Sequence, residues 1–164
     1  MDHEYIGQLL GFTLAHSASV VDTLAADQAM VPYAITFQGE EQSLVNFEAD
    51  TQQQAVAQAQ EQLAQFNQTA DAWTYSQEGV INNEQQQVSV LYFKVWLKGM
   101  HVALEAYQAY SKAPFKLLGN VQVQNFNETG MQQSATDVFV AGINQGVDIH
   151  PTAAAHWDNW CSEE

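Results

Sequence analysis

Residues 87–98 read QVSVLYFKVWLK, and this run decides the predicted fold. It is rich in β-branched and aromatic residues, which favour a β-strand. Alternate positions of a strand point to opposite faces of a sheet, and both sets are apolar here. The odd positions are Leu91, Phe93, Val95 and Leu97, and the even positions include Val88, Val90, Tyr92 and Trp96. Because a strand with one face in water alternates between apolar and polar residues, we expect both faces to be covered, with the odd positions facing the helices.

Two hairpins are predicted. The first precedes this strand in the chain, and the second contains it. Residues 33–37 alternate in polarity, and so do residues 45–47 beyond a polar turn, which indicates a first hairpin. Residues 73–81 also carry apolar residues at period two, and Asn82-Asn83-Glu84 is typical of a turn. This segment is therefore predicted to pair with the run quoted above as a second hairpin.

The segment after the central strand is ambiguous. Residues 101–111 fit either a strand or a helix, because their apolar residues match both periods. We favour a strand, since Lys98-Gly99 can form a tight turn that extends the meander. Residues 120–126 then resemble a short edge strand.

Three helices are predicted from apolar periodicity. The first covers residues of about 3–27 and ends before Val31-Pro32, because proline disfavours helix in the residue before it. The second covers about 51–67, where Thr51 and Gln54 form a capping box ahead of an amphipathic stripe. The last covers about 131–146 and ends at a glycine.

These elements predict an α+β fold with an antiparallel sheet built from hairpins and a meander. Two to three helices pack on one face, and the element order is α-β-β-α-β-β-β-β-α. Nothing typical of a linker divides the chain, so we expect one domain over residues 1–150. Residues 151–164 are expected to form a tail docked by Trp157 and Trp160.

The charge of the chain excludes some classes of function. It has 164 residues, with 19 Asp and Glu against four lysines and no arginine, for a formal net charge of −15. Direct nucleic-acid binding is not expected, because phosphate contacts need clustered cations. Eight Phe, six Tyr and four Trp are too many aromatic residues for a disordered acidic chain. All four lysines lie within residues 94–116, whereas residues 1–93 hold twelve acidic residues and no cation of the Lys or Arg type.

Location and redox state follow from the same composition. No apolar run reaches the roughly 20 residues that span a bilayer, so we expect no membrane association. The first residues lack the basic and apolar regions of a signal peptide, and the single cysteine cannot form an internal disulfide. We therefore expect a cytoplasmic protein.

No enzyme motif is present that can be tested by spacing. The chain has no phosphate-binding glycine loop, no G-x-S-x-G nucleophile motif, no H-E-x-x-H and no paired C-x-x-C. The lack of arginine also weighs against an enzyme acting on phosphates or carboxylates, which guanidinium groups commonly bind. We expect no cofactor and favour a protein without catalytic activity.

Two groups of residues are weak candidates for sites. The C-terminal segment collects possible metal ligands, namely His150, His156, Asp158 and Cys161. These residue types can form a tetrahedral zinc shell, but their spacing matches no standard pattern, so an ordinary surface tail is favoured. The second group is a binding face on the central strand, namely Tyr92, Lys94, Trp96 and Lys98.

The second face of the central strand has three possible occupants. They are the C-terminal segment of the chain, a second copy of the chain, and a ligand. Lysines beside aromatic rings can form cation–π contacts or hold an anionic group. They can equally act as internal counterions for the acidic remainder of the chain, which we favour.

Three hypotheses of function follow. The first is a small acidic cytosolic protein-interaction module, homo-oligomeric and without catalytic activity, whose partner is another protein or a second copy. The second is an acidic inhibitor, of the DNA-mimic or immunity type, that binds a basic nuclease or DNA-binding protein. The third is a small-ligand binder or enzyme that uses the aromatic and lysine face, which predicts a pocket lined by Tyr92, Lys94 and Trp96.

Overall fold

The computed structural model describes residues 2–25, 27–82, 86–112 and 114–161. Within them lie the strands β1 (Tyr33–Gln38), β2 (Glu41–Asn46), β3 (Ala72–Asn82), β4 (Gln87–Leu97), β5 (Leu104–Ser111) and β6 (Lys116–Val123). The helices are α1 (His3–Thr23), α2 (Gln52–Thr69), α3 (Thr136–Asp148) and the single turn α4 (Trp157–Trp160). None of the helices in these ranges combines the length and the apolar content needed to cross a bilayer.

The strands form one antiparallel sheet in the order β2-β1-β3-β4-β5-β6. This sheet and the helices confirm the predicted α+β class and element order. The preference for a strand over a helix in residues 101–111 is also confirmed, since β5 occupies most of that segment. The first part of the predicted turn, Asn82, pairs with Gln87, while residues 83 and 84 lie outside the described residues.

The edge strand differs from its prediction. It begins at Lys116 rather than at residue 120, because Leu117 is buried and pairs with Tyr110 of β5. It also ends at Val123, three residues earlier than predicted.

The helix ends are set by side-chain hydrogen bonds. The Asp2 carboxylate accepts the N–H of Tyr5 at 2.9 Å at the start of α1, and the Thr51 hydroxyl accepts the N–H of Gln54 at 3.1 Å at the start of α2. Both are N-caps, and the second was predicted. The first helix ends at Thr23 instead of about residue 27, because the chain becomes extended at the next residue.

The first face of the sheet carries α1 and α3. Ser76 of β3 shares a hydrogen bond of 2.7 Å with Ser17 of α1, and Ser76 is paired with Phe93 of β4. Directly paired residues share a face, so the odd positions of β4 lie against α1, as predicted. Leu91, Phe93 and Val95 are fully buried there.

Glycines hold α1 and α3 together. Gly7 and Gly11 are four residues apart in α1, Gly142 and Gly146 are four apart in α3, and each faces the backbone of the other helix. A Cβ on Gly142, for example, would overlap the carbonyl oxygen of Glu4. The two helix backbones are therefore in direct contact, closer than helices that carry larger side chains at the crossing.

The opposite face of the sheet carries α2. The indole N–H of Trp73 donates to Oδ1 of Asn67 at 2.7 Å, and Nζ of Lys94 donates to Oε1 of Gln60 at 3.1 Å. Trp73 and Ser76 are three residues apart on β3, so their side chains point to opposite faces. Of the three long helices in the described residues, α1 and α3 thus share one face, and α2 covers the other.

One of the three occupants predicted for the second face of β4, the C-terminal segment, is not found there. At the Trp96 end that face is covered by α2, and not by the C-terminal segment. The C-terminal segment lies against β6 instead, where Leu117 forms a bridge with Cys161 and Trp160 packs edge-on against Phe115. The sequence predicts this helix but not its place on the second face, because its buried residues are few and mostly small: Ala55, Ala59 and Leu63.

Candidate functional site

A cavity of about 580 Å³ lies between α3 and the β5–β6 edge of the sheet. Its apolar wall is formed mainly by two sets of side chains: Phe139, Ile143 and Val147 of α3, and Leu117, Val121 and Val123 of β6. Small-molecule sites in proteins usually measure roughly 300–1,000 Å³ and have such walls. The cavity is therefore large enough for a ligand of moderate size.

The cavity lies on the side of α3 that faces the sheet, whereas another side of α3 packs closely against α1. Its glycines draw it against α1, while Phe139, Ile143 and Val147 recur every four residues and face the sheet. Phe126 packs edge-on against Phe139, with ring centroids 5.7 Å apart, and Trp157 lies at another part of the wall. Space consequently remains between α3 and β6.

The polar side chains around the cavity are uncharged in the part of the chain that the structure describes. Gln133, Thr136 and Asn144 on or near α3, and Asn120 on β6, line it and are exposed to solvent. Gln108 of β5 also lines it, but is only 2% exposed. The arrangement is a largely apolar chamber with polar exposed residues and one buried amide.

Gln108 fills an irregularity in the sheet. The register between β5 and β6 shifts between Tyr107 and Ala109. The Nε2 group of Gln108 donates to the carbonyls of Leu118 at 3.2 Å and Gly119 at 3.1 Å. Its amide thus satisfies backbone acceptors near the register shift.

Cys161 places a thiol on the wall of the same cavity. Burial raises the pKa of the thiol, and the nearby Asp158 carboxylate raises it further. Because the thiolate is the reactive form, this environment makes Cys161 a weak nucleophile at neutral pH. It is the single cysteine of the chain, so it is a unique chemical probe of the cavity.

A second feature is a pair of histidines between α1 and the C-terminal segment. Nδ1 of His150 accepts the backbone N–H groups of Thr152 at 3.2 Å and Ala153 at 3.0 Å. Its proton is therefore on Nε2, which donates to Nδ1 of His16 at 3.3 Å. Burial lowers the pKa of both imidazoles, and the neighbouring His16 lowers that of His150 further. The pair is held in its neutral form and fastens the chain after α3 to α1.

The predicted binding residues are only partly brought together. Lys94 and Trp96 line a cleft of about 210 Å³ beneath α2. Tyr92 does not line it, because its hydroxyl donates to Glu105. Lys98 lies exposed in the turn after β4. Two of the three residues of the predicted pocket, Lys94 and Trp96, are therefore brought together in this cleft, and Tyr92 is not part of its lining.

The predicted metal ligands are separated. His150 pairs with His16, and His156 stacks on Trp160 with ring centroids 5.6 Å apart. Cys161 lies against β6, close to Asp158. Across residues 2–25, 27–82, 86–112 and 114–161, no three His, Cys, Asp or Glu side chains form a group that could hold a metal ion.

Sequence reasoning missed both the cavity and Gln108. The periodicity of Phe139 and Ile143 was visible, but it indicates a buried helix face in the same way whether or not the opposite wall is in contact. The glycines spaced by four in α1 and α3 were the available signal, since they indicate where two helix backbones meet. The chain has 22 glutamines, and no local sequence pattern distinguishes Gln108 from the other 21.

No protein-family model matches the chain, and no curated protein or solved structure shows significant similarity to it. The functional assignment is therefore argued from the geometry and chemistry of the cavity.

Proposed function

We propose that the protein binds a small, uncharged and largely apolar molecule in the cavity between α3 and β6. The observation that carries this proposal is the composition of the wall. Seventeen of the described residues line the cavity, and none of them is Asp, Glu, Lys, Arg or His, although the chain has a net charge of −15. A chamber without charges in so acidic a chain favours a ligand without charges.

Desolvation supports a neutral ligand. Moving an ionised group out of water into a wall with no counter-charge is strongly unfavourable. An anionic ligand would also be repelled by the acidic protein as a whole. Apolar contact with Phe139, Ile143 and Val147, in contrast, contributes about 25 cal/mol for each Å² of apolar surface that is buried.

The chemistry of the wall supports binding rather than catalysis. The most nucleophilic side chain there is Cys161, and its raised pKa keeps it protonated at neutral pH. Among the described residues that line it, none carries an imidazole or a carboxylate, the groups that most often act as general acid or base. A carrier or sensor of the ligand fits this set of side chains better than an enzyme does.

Two exposed valines of α3 provide a matched test. Val140 lines the cavity and Val138 does not, yet both are 47% exposed. We expect Val140→Trp to weaken binding of Nile red, an uncharged fluorescent apolar probe, by about tenfold or more, which corresponds to about 1.4 kcal/mol. Val138→Trp adds the same side chain to the same helix and should leave Nile red binding unchanged.

The test can contradict the proposal in two ways. Equal binding by Val140→Trp, Val138→Trp and the unchanged protein would contradict the proposal, as would the absence of Nile red binding to the unchanged protein. Binding should also be insensitive to ionic strength, because salt screens charges and the ligand has none.

The charge distribution supports a second candidate, the acidic protein-interaction module. In the part of the chain that the structure describes, one ion pair is formed, between Lys112 and Glu78 at 3.6 Å. With 19 acidic residues, most carboxylates thus have no lysine partner, and a basic protein would supply cations for them. Capture of a basic partner that weakens steeply with added salt supports this candidate. A strict monomer without a salt-sensitive partner contradicts it.

A further inference from the structure

We infer that the ligand of the cavity carries a hydrogen-bond donor, a hydroxyl or an N–H group, which it directs at Oε1 of Gln108. This inference rests on the proposed function and narrows the class of ligand. It predicts a neutral apolar body with one donor, such as a phenol, an indole or a long-chain alcohol, in preference to a hydrocarbon, an ether or an ester.

The orientation of the Gln108 amide is fixed by its nitrogen. Nε2 is within hydrogen-bond distance of three carbonyl oxygens, those of Ala109 at 3.0 Å, Leu118 at 3.2 Å and Gly119 at 3.1 Å. Rotating the amide by 180° would place Oε1 against these three oxygens, where acceptor would face acceptor. The oxygen is therefore held on the other side of the amide.

Those carbonyls need the amide because the strand pairing is interrupted around them. The register shift separates the pair Ala109–Leu118 from the pair Tyr107–Gln122. Gly119 adopts a φ of 72°, in the left-handed region, so the backbone of β6 departs there from regular strand geometry. Gln108 is thus constrained by the sheet itself and not by a ligand.

Among the described residues, none is a hydrogen-bond partner of the oxygen of the Gln108 side chain. No described residue donates a hydrogen bond to Oε1, and Gln108 lines the cavity while being 2% exposed. An apolar ligand that displaced water from this oxygen would leave a buried acceptor unsatisfied, which is unfavourable. A ligand with a donor avoids that loss, whereas a ligand with only acceptors does not.

The test uses two ligands that differ in one donor. In competition with Nile red on the unchanged protein, we expect 2-naphthol to bind about three- to tenfold more tightly than 2-methoxynaphthalene, the range that one net hydrogen bond supplies. The comparison is stringent, because the added methyl group of the ether would strengthen binding if apolar contact alone mattered. Equal or tighter binding of the ether overturns the inference.

The failures of the two proposals are distinguishable. If Nile red binds and both naphthalenes displace it equally, the donor inference fails and the proposed function stands. If neither Nile red nor either naphthalene binds, the proposed function fails, and the inference fails with it.

A pair of variants assigns the donor preference to Gln108. Gln108→Met removes Oε1, so the ratio of the two naphthalene affinities should fall by about three- to tenfold, to equality or below. Gln122→Met makes the same exchange at an exposed position of β6 and should keep the ratio of the unchanged protein. The ratio, rather than either affinity, is the measurement, because a general loosening of the sheet would weaken both ligands alike. Should Gln108→Met fail to fold, the ligand pair on the unchanged protein still decides.

Discussion

Gly11 of α1 lies directly against the main chain of Ile143 in α3. A Cβ on Gly11 would overlap the carbonyl oxygen of Ile143 and stand 3.0 Å from its Cα atom. The main chain of Ile143 is therefore held by α1 while its side chain lines the cavity. The close approach of the two helices thus sets the position of one cavity wall.

This contact predicts that adding a single methyl group at Gly11 destabilises the protein. Gly11→Ala should lower the free energy of unfolding by about 1–3 kcal/mol, because the helices must separate to admit the Cβ. Alanine favours helix over glycine by roughly 1 kcal/mol, which offsets only part of that loss. Gly79→Ala is the matched control, since a Cβ there would meet only Val90 Cγ2 at an ordinary 3.7 Å. Urea unfolding of both variants checks the prediction, and equal stabilities would contradict it.

The accessibility of Cys161 gives a second prediction. Its raised pKa lowers the fraction of thiolate, so iodoacetamide should alkylate it more slowly at pH 7.5 in the folded protein than in the same protein unfolded in urea. Saturating Nile red should slow the folded reaction further, because Cys161 lines the cavity. The intact mass of the protein reports the reaction unambiguously, since the chain has one cysteine.

The control for this experiment compares the variant that fills the cavity, Val140→Trp, with Val138→Trp, which does not. At a Nile red concentration close to its Kd for the unchanged protein, Val140→Trp should show little additional protection of Cys161, while in Val138→Trp the protection should persist. Protection that is equal in the two variants would indicate that Nile red binds somewhere else.

Much of the fold was readable from local patterns, whereas the site was not. The capping box at Thr51 and the double apolar periodicity of β4 depend on neighbours in sequence, and the elements they predicted are present. That the second face of β4 needed a cover was also correct. The identity of that cover depends on which way α2 crosses the sheet, and the stripe of Ala55, Ala59 and Leu63 does not encode that direction.

The candidate site depends on contacts between residues far apart in the chain. Gln108 becomes distinctive only because the pairing with β6 shifts beside it. His150 was considered as a metal ligand, but its partners are a helix residue 134 positions away and two amides of its own turn. Such pairings arise from tertiary packing, which single-sequence periodicity does not specify.

The histidine pair predicts a dependence of stability on pH. Both pKa values are lowered by burial, so between the folded and unfolded pKa values the unfolded chain binds more protons. The stabilising contribution is therefore present above pH 6.5 and is lost as the pH falls toward the folded values. Protonation of His150 would also place a hydrogen on Nδ1, against the N–H groups of Thr152 and Ala153.

The measurement is thermal or urea unfolding at pH 7.5 and pH 5.5. The protein should lose stability over this interval, and His16→Gln should lose less, because one of the two groups no longer titrates. His101→Gln removes an exposed histidine and should follow the unchanged protein. If His16→Gln and the unchanged protein lose the same amount of stability between pH 7.5 and pH 5.5, the histidine pair does not control the pH dependence of stability.

The position of α2 on the second face can be measured as a coupling energy. Trp73 donates to Asn67 at 2.7 Å, whereas Trp96 donates to the carbonyl of Met100 at 3.1 Å. In a double-mutant cycle, Asn67→Ala with Trp73→Phe should show a coupling of about 0.5–1.5 kcal/mol, the net value of a hydrogen bond. Asn67→Ala with Trp96→Phe should show a clearly smaller coupling, although the two indoles are stacked with ring centroids 6.4 Å apart. Coupling of the first pair no larger than that of the second would mean that α2 does not lie over Trp73.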